Sequence, residues 1–224
     1  MMKRLLLASA MLGAMAFAGT ASAQSPFDLS QPPVGKQAGT LMIRLRAIGV
    51  IPEDASSSVS LIGGHVSTSA QAAPEVDLSY FFTDNIAVEL IAATTRHTLT
   101  ATGTALGNVD VGSTWVLPPT LTLQYHFMPS QQLSPYVGVG LNASFFYDTK
   151  AAGPTITALS VNNSWGPAIQ AGVDYNFSGH WFANLDVKQI FMNTVAHVSA
   201  GAVHIRAKDS LDPLVIGAGI GYRF

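Results

Sequence analysis

Cysteine is absent, so disulfides and thiolate chemistry are excluded at once. Charge is scarce. Asp, Glu, Lys and Arg make up 11% of the 224 residues, against about 25% in an ordinary soluble domain. A surface so poor in charge is badly solvated by water. There is no basic excess either, with 11 Lys and Arg against 13 Asp and Glu, which argues against a nucleic-acid partner. Beyond Gln24 no stretch reaches the roughly 18 apolar residues that a membrane-spanning helix needs. Disorder is excluded from the other side, because 48% of the residues are hydrophobic. What remains is a chain as apolar as a membrane protein but without membrane helices.

The one long apolar run stands at the start. Lys3 and Arg4 precede an almost unbroken apolar stretch from Leu5 to Ala18, and Ala21-Ser22-Ala23 follows as a small-residue cleavage site. That order predicts a cleaved secretory signal over residues 1–23, with the mature domain at 24–224. Cleavage removes two bases and no acid, leaving nine bases against 13 acids and a formal charge of −4. No Cys follows the cleavage site, so a lipid anchor is not expected.

The mature chain alternates. Eight runs put apolar side chains at every second position, the signature of strands with one apolar face: Thr40–Ile51, Glu75–Thr83, Ile86–His97, Pro118–Phe127, Tyr136–Tyr147, Pro167–Phe177, Trp181–Met192 and Leu211–Phe224. Each has about the 9–11 residues of a tilted membrane strand. Their opposite faces are polar or tiny: Arg44 and Arg46, Asp77 and Ser79, Thr120 to Gln124, Gly138 to Asn142, Gly217 to Gly221. A soluble barrel turns its apolar face inward. Here the charges of both signs fall on one face and the continuous apolar surface on the other, as in a barrel bathed in lipid. Closure leaves no backbone edge unpaired in the bilayer. The reading is all-β: an eight-stranded antiparallel transmembrane β-barrel of the outer-membrane type. Thr83-Asp84-Asn85, Met128–Ser134 and Ser178-Gly179-His180 make short turns. Pro52–Pro74, Thr98–Val116, Asp148–Gly166 and Asn193–Ser210 make long loops. Short periplasmic turns and long external loops place both termini in the periplasm.

Parity then assigns the lumen. Arg44, Arg46, Asp77, Glu89, Gln124, His126, Asp174, Asn184, Asp186, Lys188 and Arg223 face inward from the periplasmic end to mid-height. Their four bases and four acids can neutralise one another. Unpaired, they would carry a large desolvation cost. Eight strands leave room for side chains or one small ligand, so this set reads as a polar plug. Higher up, Ile48, Val50, Ile91, Phe146, Ile190 and Met192 share the inward parity. An apolar pocket above a plug suits a small hydrophobic ligand. Pro118 and Pro119, at the top of the fourth run, lack backbone donors and mark a lateral opening. Trp115, Trp165 and Trp181 fit interface belts. His65, His97, His126, His197 and His204 show no metal-ligand spacing, and no nucleophile elbow stands in the chain. Neither metal, cofactor nor enzymatic activity is expected. Leu61 and Ile62 line the mouth or pack against neighbouring loops.

The chain resembles the OmpW family of small outer-membrane proteins. The resemblance runs through Arg44-Leu45-Arg46-Ala47 with Val50, Pro52 and Asp54, then Tyr80 to Leu90, and Leu117-Pro118-Pro119-Thr120-Leu121 with Gln124 to Phe127. Pro135 to Gly138, Gly172 to Tyr175, Asp212-Pro213 and the terminal Gly221-Tyr222-Arg223-Phe224 complete it. That ending is similar to the signal read by the barrel-assembly machinery. The resemblance implies an eight-stranded barrel with a narrow hydrophobic passage, linked to uptake of small apolar molecules. Expected partners are outer-membrane lipids, a small hydrophobic ligand and, during biogenesis, the assembly machinery. Two alternatives stand beside a hydrophobic conduit: a structural barrel or surface receptor acting through its loops, and an outer-membrane enzyme with a serine in reach of a histidine.

Overall fold

Alternating Val, Ile, Leu, Tyr and Phe favour extended backbone, because branched and aromatic side chains pack well on a pleated surface. The computed structural model describes residues 30–54 and 56–224, and the expected signal segment 1–23 lies outside the described residues. Among the described residues there is no helix. The chain runs through β1 (Leu41–Ile51), β2 (Ser56–Val59), β3 (His65–Thr68), β4 (Gln71–Phe81) and β5 (Ile86–Ala93). It continues through β6 (Thr95–Thr104), β7 (Gly107–Leu117), β8 (Thr120–His126), β9 (Leu133–Ala151) and β10 (Ala158–Val161). The last five are β11 (Ser164–Ser178), β12 (Trp181–Ile190), β13 (Asn193–Ala200), β14 (Val203–Ser210) and β15 (Leu214–Arg223).

Eight of these strands close a barrel in the order β1-β4-β5-β8-β9-β11-β12-β15 and back to β1, every seam antiparallel. They are the eight expected runs. Inside and outside are inverted relative to a soluble protein. Leu141 is 68% and Leu185 60% exposed, whereas Arg44, Asp77 and Glu89 are fully buried. The turns at the end where β1 begins and β15 ends are short. In one, the Thr83 hydroxyl accepts the Ile86 amide at 3.0 Å. In another, Gly179 adopts φ of +48°, which a side chain would strain. Two inward glycines make room for the lumen's rings: a Cβ on Gly172 would lie 2.4 Å from Tyr136, and one on Gly221 2.2 Å from Phe182.

The opposite end departs from expectation. The segments read as long loops carry most of seven further strands, β2, β3, β6, β7, β10, β13 and β14, and feed the upper part of β9. One sheet pairs β10-β13-β14-β2, and the other pairs β3, β6, β7 and upper β9. These sheets enclose an apolar cluster that includes Val59, Val66, Leu99, Val111 and Val198. A run expected as one strand over Ile86–His97 is divided at Thr94, next to Ala92 and Ala93, whose places in the register fall opposite Pro119 and Pro118. Ile91 lies opposite Thr120 and Thr95 opposite Val116 in one continuous register, but pairing lapses between them. Phe191-Met192 and Leu211-Asp212-Pro213 interrupt the β12–β13 and β14–β15 runs. Proline supplies no ladder donor, which accounts for the breaks at 118–119 and 213.

Candidate functional site

The lower lumen is filled by one ion network. Arg44 Nη1 lies 2.8 Å from Asp77 Oδ1 and 2.9 Å from Glu89 Oε2, and its Nη2 reaches Asp174 at 3.4 Å. Arg46 Nη2 lies 2.7 Å from Glu75 and 3.1 Å from Asp77, and its Nη1 is 3.5 Å from Asp186. Lys188 Nζ stands 3.6 Å from Glu89. Neutral groups add hydrogen bonds to the carboxylates. Gln170 donates to Glu89 at 2.9 Å and to Asp186 at 2.7 Å, Tyr136 donates to Asp186 at 2.7 Å, and Asn184 donates to Asp174 at 2.8 Å. The Arg44 guanidinium also lies over the rings of Tyr136 and Phe182. Charges so deep are tolerable only when each meets an opposite charge and its hydrogen bonds.

Two members of this network were not among the expected plug residues. Glu75 shares the inward parity of Asp77 and was legible from spacing alone. Lys36 was not: it precedes the first strand, yet its Nζ lies 2.8 Å from Asp174 Oδ2 and 2.7 Å from Ser134 Oγ. It arrives there because residues 34–39 cross the terminal end of the barrel. The Val34, Lys36 and Gly39 amides donate to the carbonyls of Gly179, Pro129 and Phe81, three different rim positions. Arg223 differs from the expectation that it would neutralise an acid. It is buried, but its guanidinium donates to the Val34 carbonyl and to Asn176 Oδ1 and lies over Phe182. The chain's return across the rim supplies the acceptor that a sequence reading of strand parity cannot see.

Above the network the lumen becomes apolar and a cavity of about 70 Å³ opens. That exceeds the roughly 10–15 Å³ one water needs. All six apolar positions assigned by parity, Ile48, Val50, Ile91, Phe146, Ile190 and Met192, line it. Glu75 stands at its floor, and Val66, Leu99, Ala196 and Ala207 belong to both its wall and the outer apolar cluster. The chamber therefore lies between an ionic floor and an apolar roof. Thr68, Thr95, His97 and Asp209 also line it. Thr68 and Asp209 sit in segments read as loops, whereas Thr95 and His97 close the run Ile86–His97 with the inward parity of Ile91 and were legible from spacing.

The two prolines play different parts. Pro118 lines the chamber and Pro119 does not. The Pro119 carbonyl accepts the Ala143 amide at 3.0 Å, so residue 119 faces β9. In the register that links Ile91 with Thr120 and Thr95 with Val116, residue 118 falls opposite Ala93, within the lapse at Ala92–Thr94. There the Thr94 hydroxyl donates to the Val116 carbonyl at 3.2 Å.

The remaining marked residues fall into simpler places. Trp181 packs edge-on against Tyr222 at the terminal end, while Trp115 stacks on Tyr147 and Trp165 meets Phe145 toward the other. Trp165 is 72% exposed, in keeping with its outward parity. Leu61 is exposed, and Ile62 packs on the outer cluster rather than lining the chamber. Ser199 Oγ lies 3.1 Å from His204 Nδ1 on the exposed β13–β14 hairpin, outside the chamber lining.

The sequence pattern of the OmpW family matches residues 37–224. The chain is 45% identical over 232 residues to an uncharacterized outer-membrane protein, y4mB, of Sinorhizobium fredii, an alignment that covers 99% of this chain and 97% of that one. It is 26% identical to the dibenzothiophene metabolism operon protein PahQ of Pseudomonas aeruginosa, over 76% of this chain and 82% of that one. The crystal structure of the outer membrane protein OprG from Pseudomonas aeruginosa superposes with a TM-score of 0.78 at 30% identity, covering 85% of this chain and 98% of OprG.

Proposed function

The chain belongs to the OmpW family of outer-membrane barrels, and from that premise we propose that it takes up small apolar molecules through the upper lumen and releases them sideways into the bilayer. The end of the barrel where β1 begins and β15 ends faces the periplasm, and the two outer sheets face the medium. A molecule descending from outside meets an apolar chamber and then a floor of paired charges. The floor offers an apolar solute nothing but desolvation cost. The chamber wall offers apolar contact, worth roughly 25 cal/mol per Å² removed from water. The way out is then lateral, at the height where β5–β6 and β7–β8 stop pairing over Ala92–Thr94. The kinship with PahQ, named for a dibenzothiophene metabolism operon, agrees with an apolar cargo.

The observation that carries this reading is the chamber itself, lined by Ile48 and Phe146 directly above Glu75. The test is binding of small apolar probes to the barrel refolded in lipid vesicles, against an Ile48→Asp, Phe146→Asp double variant with unchanged barrel circular dichroism. Affinity is expected to fall at least about tenfold in the variant, a loss of roughly 1.4 kcal/mol. Equal affinity in both would remove the chamber from the pathway.

The receptor alternative draws on the hairpin tips, where Leu61 and Leu106 are more than 70% exposed. It requires that trimming those tips abolish function while the double variant keeps it.

A further inference from the structure

Asp209 has no hydrogen-bond partner for either carboxylate oxygen, although it is only 6% exposed and lines the chamber. The contrast with the floor is sharp, since every carboxylate there has a cation within reach. An unpaired buried carboxylate is costly, and its surroundings add to the cost. Burial first, then the neighbouring carboxylates of Asp54 and Asp212, push Asp209 up to about 7. Asp54 follows β1, with one oxygen accepting the Thr68 amide at 3.0 Å and the other unpaired. Asp212 follows β14 and accepts the Met192 amide at 2.8 Å. On the facing wall the Thr68 hydroxyl is also unpaired.

Nothing in the lining offsets these acids. No Lys or Arg lines the chamber. Arg206 and Lys208, the bases of β14, are exposed. His97 shares the chamber, but burial lowers its pKa against the opposing pull of the Ser69 carbonyl and Asp54, which leaves it neutral near pH 7. Strands β2 and β13 flank Asp209 with Ser57 and Thr194. Among the described residues no group of three or more His or carboxylate side chains converges to hold a metal ion. The walls next to Asp209 are hydrocarbon: Leu211, Val215, Ile190 and Met192 form one cluster with Ile48.

We propose that Asp209 is the head-group anchor of the chamber and that its preferred ligands are apolar amines, an alkyl or aryl body with one protonated amine. The ammonium donates to Asp209 and to the Thr68 hydroxyl, while the body lies along Ile48, Ile190 and Met192. An ammonium has three donors and no acceptor, which matches a corner whose unpaired oxygens, those of Asp209 and of the Thr68 hydroxyl, can all accept. This rests on the apolar-chamber reading and names the ligand class for it.

The probes are octylamine, octanol and octanoate, equal in chain length, titrated calorimetrically into the full barrel in phosphatidylcholine vesicles, with protein-free vesicles as the blank. At pH 8 octylamine is expected to bind at least about tenfold more tightly than octanol, and octanoate weakest of the three. Asp209→Asn should bring octylamine to the octanol level and leave octanol unchanged. Between pH 8 and pH 6 octylamine affinity should fall about tenfold as the carboxyl takes up its proton, with octanol constant. Equal affinity for amine and alcohol, or a preference that survives in Asp209→Asn, overturns the anchor while leaving the chamber in place. Binding by none of the three overturns both. The comparison in the unsubstituted barrel decides the matter even if the variant does not fold.

Discussion

Arg44 is the residue on which the lower lumen turns. It contacts three carboxylates from three strands, Asp77, Glu89 and Asp174, and donates to Ser79 at 2.8 Å as well. Replacing it with Leu would conserve volume roughly and strand those acids without their shared cation. Loss of one partner of a buried pair typically costs about 3–5 kcal/mol, because the other charge stays buried. Arg44→Leu is expected to lower the unfolding free energy of the vesicle-embedded barrel by that order, read as a fall in its urea midpoint, whereas Arg206→Leu, on an exposed outer position, should barely move it. An unchanged midpoint for Arg44→Leu would show that the network carries no net stability. Asp209 presents the opposite case, a charge already without a partner, and the physical logic that makes Arg44 stabilising makes Asp209 a vacancy for a cation.

On the proposed lateral path the deciding element is the junction of β7 and β8. On its β9 side the register holds across both prolines, with Leu117 opposite Phe145 and Thr120 opposite Asn142. The Asn142 side-chain amide reinforces this seam by donating to the Pro118 carbonyl at 3.1 Å. On its β5–β6 side the ladder lapses. The two prolines are therefore not equivalent: the Pro119 carbonyl pairs with β9, while residue 118 stands opposite Ala93 in the register of the lapse. Pro118→Val supplies a donor toward Ala93 and is expected to cut uptake of an apolar probe into vesicles severalfold while chamber binding persists. Pro119→Val supplies its donor toward β9, where the seam is already closed, and should change uptake little. Equal effects of the two substitutions would place the exit elsewhere.

Taken whole, the molecule is a lipid-facing barrel that carries a second, water-facing structure on its outer end. The lower half is closed twice, by the ion network and by residues 34–39 lying across the terminal rim. The upper half is roofed by the cluster between the outer sheets. Such a barrel should not pass ions. In planar bilayers it is expected to show no resolvable conductance steps in potassium chloride. A Glu89→Ala, Lys188→Ala double variant, which removes one base and one acid from the floor together, should introduce a measurable leak. Porin-like steps from the unsubstituted protein would mean that the lower lumen is not a plug.

The sequence by itself determined the barrel. Side chains alternate faces with period two, so Leu41 to Ile51 or Leu214 to Phe224 reveals its lipid face without any knowledge of neighbours. Strand parity placed Ile48, Ile91 and Phe146 in one apolar zone and Arg44, Asp77 and Glu89 in one polar zone, because parity and height are properties of a single strand. Only the tertiary structure decided which charge meets which. Lys36 reaches Asp174, and Arg223 turns to the Val34 carbonyl, through contacts between segments more than 130 residues apart in the chain. It also decided the outer end. There the alternation of Val195 to Val198 and Val203 to Ala207 is weak and interrupted by polar positions, because those strands bury one face against a second sheet rather than against lipid. That packing brought Asp209 to the chamber wall, a position no local pattern could assign.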